Sequence, residues 1–250
     1  MICDEARMEI VKNTLSADFS CSPDDFENES VVFREPEERP GRRNFPFRPD
    51  TISLMTMGKA VVITAGKEHL GWLRERFENA GREQIFSLDS LGRLSAYVRS
   101  HRQTLYGPDQ KYVCLGQPRV AEYEDPEICF QMYESDKVSD LYPYPSFRNA
   151  LNYSNRARPD VVAAAAFYKG QPIAVAGASA DSDLMYQVGV DVEAPFRRKG
   201  IGAFLVGKVT EKILQMGKVP YYTTSLSNLA SRNLAVKAGY RPMWVEIYSK

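Results

Sequence analysis

The chain has 250 residues, enough for one large domain or two small ones. Lysine plus arginine (32) balances aspartate plus glutamate (32), so no overall field points to a nucleic-acid or membrane partner. Cys3, Cys21, Cys114 and Cys129 are scattered without a CxxC pair, which argues for reduced thiols in the cytoplasm and against a disulfide framework or a zinc site. His69 and His101 are the only histidines and lie far apart in sequence, so no metal is expected. The start, MICDEARMEI, lacks an apolar signal core, and no apolar run reaches membrane-spanning length.

Asp18 to Asp50 differs in composition from the rest, with acidic SPDDFENES followed by REPEERPGRRNFPFRP. It is expected to be largely irregular: a surface arm, or a lid that contacts anions through Arg39, Arg42 and Arg43. Regularity begins after Thr51. GKAVVITAG reads as a strand. KEHLGWLRERFENAG places Leu70, Leu73 and Phe77 at helical spacing before Gly81. Ser87 caps a second helix carrying Leu91, Leu94 and Val98, and KYVCLG reads as a strand. His101 is expected at the surface or partly buried. The first half is thus a small α/β unit without a catalytic motif.

The pattern loosens near Gly116 to Asp125, and residues 1–118 and 119–250 are expected to form separate domains. In the second, ICFQMY is a strand and VSDLYPYPSFRNALNY gives one or two short helices broken by Pro143 and Pro145. VVAAAAFY, the turn KGQP and IAVAGASA form a hairpin, and MYQVGVDV is a third strand. A helix follows Gly200, then the strand VPYYTTS, a helix in NLASRNLAVKAG ending at Gly239, and a last strand, RPMWVEIYS. The order predicts a mixed α/β sheet covered by helices.

The segment APFRRKGIGAFLVGKVTEKIL carries the clearest chemistry. Ile201, Phe204, Leu205, Val209 and Ile213 make one apolar stripe, and Lys208, Glu211 and Lys212 lie opposite. The first N–H groups of such a helix lack internal acceptors, and the helix dipole adds positive charge there. Gly200 and Gly202 allow close approach, while Arg197, Arg198 and Lys199 add charge at the rim. This mouth suits a phosphate or pyrophosphate. It is neither a GxGxxG dinucleotide loop, since Leu205 stands at the third glycine, nor a Walker loop, since GK[ST] is absent.

Arg197-Arg198-Lys199-Gly200-Ile201-Gly202 fits R/Q-x-x-G-x-G/A and resembles the acetyl-CoA motif of the GNAT superfamily of N-acetyltransferases. SNLASRNLAVKAGY is similar to that family's second pattern, with Asn228, Ser231, Leu234, Lys237, Gly239 and Tyr240 in place. The resemblance covers about Glu122 to Lys250. It implies a mostly antiparallel sheet with two splayed parallel strands, MYQVGVDV and VPYYTTS, flanked by helices. It also implies acetyl-CoA as cosubstrate. The pantetheine arm would pair with backbone groups near Val190 and Val192, and the pyrophosphate would meet the N–H groups of Arg198 to Ala203, Ile201 and Gly202 among them. Asn228 would reach the pantetheine or hold the splay, with Ser231 beside it.

An amine would attack the thioester directly, with Tyr186, Asp191 and Glu193 as candidate bases on the strand before the loop and Asp191 placed first. Asp191 lies between two apolar strand residues and is expected on the opposite sheet face from them. The family often has a tyrosine acid where this chain has Ala235. The expected partners are acyl-CoA and an amine acceptor, a small molecule or a protein. A non-catalytic acyl-CoA sensor is the alternative, and the first half is a candidate homodimer surface.

Overall fold

A computed structural model describes residues 3–250. Contacts divide the described residues into two compact units, each assembled from separate stretches: residues 3–11, 43–45 and 112–242 in one, and 12–42, 46–111 and 243–250 in the other. The division cuts one helix after Val11 and two strands after Lys111 and Pro242. Among the described residues no helix is long and apolar enough to cross a membrane.

The first unit is built on β5 (Ile128–Glu134), β6 (Asp160–Tyr168), β7 (Gln171–Ala180), β8 (Met185–Val192) and β9 (Val219–Ser225), side by side in that order. Three antiparallel pairings run from β5 to β8, and β8 and β9 are parallel. Helix α5 (Ile201–Gln215) packs across β6, β7 and β8. Its Ile201, Leu205, Val209 and Ile213 are all within 1% of full burial, each such side chain contributing about 1.5–3 kcal/mol by leaving water. Phe204 is partly buried and meets Phe130 with ring centroids 4.5 Å apart. On the outer side Lys208 pairs with Glu211 at 3.6 Å and Lys212 with Glu134 at 2.7 Å. Gly217, at φ 72, ends α5 in the left-handed conformation that glycine adopts without a Cβ clash. Helix α6 (Leu229–Lys237) buries Ala235 in the same core.

The second unit holds β1 (Val31–Arg34), β2 (Ile52–Thr56), β3 (Val61–Ala65), most of β4 (Leu105–Val113) and most of β10 (Arg241–Ser249). β1 and β3 are parallel, while β2 is antiparallel to both β3 and β10. Its core takes Leu73 and Phe77 from α2 (Lys67–Phe77), Ile85 from α3 (Arg82–Ile85), and Leu94 and Val98 from α4 (Leu88–Ser100), which Ser87 caps. α1 (Asp4–Asp18) precedes all of these.

The arm between Asp18 and Asp50 is irregular apart from a 3-10 turn at Pro23–Glu27 and the strand β1. Each of the three candidate anion-contacting arginines has a protein neighbour, Arg42 lying over the Phe47 ring. Arg39 is engaged by Glu37 and the Cys21 carbonyl, and Arg43 is buried over the rings of Phe45 and Tyr221. Where one or two short helices broken by Pro143 and Pro145 are expected, a 3-10 helix (Ser135–Leu141) ends before Pro143 and turns follow. The two histidines, distant in sequence, meet with ring centroids 4.8 Å apart. Among the described residues no group of three His, Cys, Asp or Glu side chains could hold a metal.

Candidate active site

Two hydrogen bonds set the phase of β8. The Val219 N–H donates to the Leu184 carbonyl at 2.8 Å, toward β9, and the Glu193 N–H donates to the Ile173 carbonyl at 2.8 Å, toward β7. Even-numbered residues of β8 therefore turn their backbone groups toward β9, and odd-numbered ones toward β7. The β8/β9 ladder runs from Met185↔Val219 to Val188↔Tyr222 and ends there, while β8 continues beside β7 to Val192↔Ala174. The strands fork. Past Val188, the backbone groups of Val190 and Val192 face β9 with no ladder to join. The Val192 carbonyl accepts from Arg197 Nε at 2.8 Å. A further extended chain would find the N–H and carbonyl of Val190 and the N–H of Val192 on its side.

Side chains follow the same alternation. Tyr186 and Val188 lie in the core shared with α5, and Val190 and Val192 pack against it. Tyr186 is 8% exposed and pairs with Pro220. It is four residues before Val190, about 13 Å along the strand. Burial, and then the Asp183 carboxylate, raises its hydroxyl pKa. Asp191 lies on the opposite face, as its position between two valines implies. Its Oδ2 accepts from the backbone N–H of Asn149 at 2.7 Å and of Ala150 at 3.0 Å, and its Oδ1 from Asn149 Nδ2 at 2.6 Å. The carboxylate thus carries three N–H donors and straps residues 142–153 onto the sheet.

Two strand glycines allow that contact. A Cβ on Gly189 would run into the Asn149 carbonyl oxygen, and one on Gly177 into that of Ala150. At the other end of the strap, Asp160 accepts from the Asn152 N–H at 2.9 Å and from the Tyr142 hydroxyl at 3.1 Å. The sequence reading missed this strap. Its available signal was a glycine inside each of two otherwise apolar strands.

Beyond β8 a 3-10 turn (Ala194–Phe196) leads into the basic segment. Arg197, Arg198, Lys199 and Gly200 are exposed. Arg197 braces the turn through the Val192 carbonyl, and the Lys199 ammonium sits 5.4 Å from the centre of the Phe196 ring. Gly200 begins α5 at φ 93, with no side-chain cap and no acidic residue in the first turn. The first intrahelical bond is from the Phe204 N–H to the Gly200 carbonyl, so the N–H groups of Ile201, Gly202 and Ala203 have no acceptor within the helix. Gly202 has a packing role as well: a Cβ there would lie 3.1 Å from Leu234 Cδ1 and 3.3 Å from Val192 Cγ2. It brings α5 close to both β8 and α6.

On the other prong, Asn228 caps α6, its side-chain oxygen accepting from the Ser231 N–H at 3.0 Å. Ser231 Oγ lies 2.9 Å from the Tyr222 hydroxyl, and Tyr222 is the last β9 residue paired to β8. Burial raises the Tyr222 pKa, the Ser231 hydrogen bond opposes the rise, and the Asp191 charge adds to it. Ala235 is fully buried and offers no hydroxyl.

Residues 123–240 match the family model described as the acetyltransferase (GNAT) family. No curated protein matches the chain. Among solved structures, the chain is similar to a GCN5-related N-acetyltransferase from Kribbella flavida (19% identity, 62% of each chain, TM-score 0.45). It is also similar to an acetyltransferase from the GNAT family from Colwellia psychrerythraea (15% identity, 58% of this chain and 56% of that one, TM-score 0.42). A third is a GCN5-related N-acetyltransferase-like protein from Streptococcus suis (15% identity, 80% and 84%, TM-score 0.45). The chain spans less than two thirds of the first two. The family match and both motifs fall at one fork: residues 123–240 are similar to the acetyltransferase domain of the GNAT family.

Proposed function

We propose that the protein transfers an acetyl group from acetyl-CoA to a primary amine of a small molecule or a protein. The observation that carries this is the fork itself. Its open backbone groups at Val190 and Val192 lead along β8 to the uncapped, basic start of α5. A pantetheine arm is an extended chain with amide groups, and it fits the open edge as an added strand. A pyrophosphate is the anion for the N–H groups of Ile201, Gly202 and Ala203. Arg198 and Lys199 supply charge at its rim, while Arg197 and Asn228 hold the loop and the helix start that shape the site.

In the reaction the amine nitrogen bonds to the thioester carbon and the C–S bond breaks. The nitrogen sheds one proton, and the thiolate takes one up. The protein's part is to hold the two reactants together and exclude competing geometries. We assign the proton for sulfur to the Tyr222–Ser231 hydroxyl pair, which sits where the strands part. A thiol's pKa of about 8.5 makes its anion a tolerable leaving group, so this donor assists rather than decides the step. Asp191, whose oxygens already hold three N–H donors, fixes the strap on the acceptor side. The four free cysteines fit a reducing compartment such as the cytoplasm.

A second reading, an acyl-CoA sensor without turnover, draws on Ala235 standing where a tyrosine acid is often found. One experiment separates the two: acetyl-CoA titration of the full-length protein by calorimetry, with thiol release measured across a panel of amines. Binding with amine-dependent thiol release supports the transferase. Binding without release on any amine supports the sensor, and absence of binding removes both.

A further inference from the structure

Thr223 is the first residue of β9 beyond the ladder. Its Oγ1 is buried and has no hydrogen-bond partner in the structure. A buried hydroxyl without a partner carries the cost of desolvation and returns nothing to the fold. Such groups are few in native proteins, and each calls for a cause.

Its position narrows the cause. Gln187 pairs with Tyr221 and Val188 with Tyr222, so Tyr221 and Thr223 share the face of Gln187, Gly189 and Asp191. That is the strap face, opposite α5. A pantetheine arm lying in the fork as an added strand keeps its thioester roughly in the plane of the sheet, with the two faces of the carbonyl toward the two faces of the sheet. The α5 side is filled by the core of Val188, Ile201, Leu205, Tyr222 and Ala235. The amine must therefore approach from the strap side, where Thr223 stands beside the fork.

Resting on the acyl-transfer reading above, we propose that the amine acceptor binds on the strap face and that Thr223 Oγ1 is its hydrogen-bonding contact, accepting from an N–H of the attacking nitrogen. Rotation about χ1 exchanges Oγ1 with the methyl group, so the hydroxyl reaches the acceptor without backbone movement. Accepting from one N–H leaves the nitrogen lone pair free for the carbonyl carbon. The contact therefore suits primary amines, which keep a second N–H to lose after attack. Asp191 acts one step removed, holding the Asn149–Ala150 part of the strap.

The test uses the full-length protein, acetyl-CoA and an amine that the unaltered protein acetylates. Thr223→Val keeps the shape and removes the hydroxyl. The expected result is an acceptor KM raised about tenfold, the loss of one hydrogen bond. The acetyl-CoA Kd stays within twofold and the Tm is unchanged or higher. Thr223→Ser restores the KM, and Thr223→Ala serves as a second deletion if valine is not accommodated. An unchanged acceptor KM in the hydroxyl-free variants overturns the proposal. So does an effect that falls on the acetyl-CoA Kd, which would make Thr223 a donor contact. A lowered Tm with unaltered kinetics also overturns it, since the hydroxyl would then be satisfied by a buried water. If the unaltered protein acetylates no amine, it is the acyl-transfer reading that fails.

Discussion

Two parallel strand pairs, β1 with β3 and β8 with β9, differ in how far they stay together. β1 and β3 stay together along the whole of β1, from Val31↔Val61 to Arg34↔Thr64. β8 and β9 pair over an equal length and then part, although both strands continue. Parallel pairing alone makes no site: a closed ladder leaves no backbone group between its two strands for a ligand. The fork leaves such groups in the middle of a sheet, at Val190 and Val192, and the α5 start lies beyond them. It also divides the labour between two faces. The helix face supplies the Tyr222–Ser231 pair, and the other supplies the strap and Thr223.

Gly189→Val strikes the fork hardest, because its side chain would drive the Asn149 carbonyl off β8. The expected cost is about 3 kcal/mol, read by denaturant unfolding, with loss of amine turnover. The matching change in the closed pair is Val62→Ala, at a fully buried β3 site. It is expected to cost about 2 kcal/mol and to leave the acetyl-CoA Kd of the folded protein unaltered. An equal loss of acetyl-CoA binding in Val62→Ala would break the distinction between the two pairs.

Reversing charge at the α5 mouth with Arg198→Glu and Lys199→Glu together should weaken acetyl-CoA binding at least about tenfold, more at low salt than at high. Both side chains are exposed, so Tm should hold. Tyr222→Phe should lower kcat by up to about tenfold with an unchanged acetyl-CoA Kd. Because burial holds the Tyr222 phenol above its ordinary value of 10.0, it stays protonated up to that pH. The kcat of the unaltered protein should then show no alkaline fall below that pH. A fall at lower pH, or an unaffected Tyr222→Phe, assigns the proton to another group. The smallest effect is expected from Asn228→Ala, about 1 kcal/mol of stability for a lost helix cap, with a modest change in acetyl-CoA affinity.

Much of the fork could be read from sequence, because its elements are local. The stripe from Ile201 to Ile213 is periodic, and Gly200, Gly217 and Gly239 stand where positive φ is needed. VPYYTTS is β9 residue for residue. Contacts made across long chain separations were not legible. The Asp191 carboxylate meets Asn149 across 42 residues. Its position between two valines gives its face but not its three donors. The role of Asn228 as a cap and of Gly202 as a packing site also became visible only once α6 and β8 were in place. In the second unit, β1 sits inside a stretch whose prolines and charges obscure four residues of strand, and β2 is only five residues long. α1 has no strong apolar stripe to mark it.

Residue-resolved hydrogen exchange, with and without acetyl-CoA, tests the fork most directly. The amides of Val190 and Val192 should gain protection when acetyl-CoA is added, together with those of Ile201, Gly202 and Ala203. The amides of β1 and β3 should exchange as before. Saturated acetyl-CoA binding with unchanged exchange at Val190 and Val192 would contradict an arm lying in the fork.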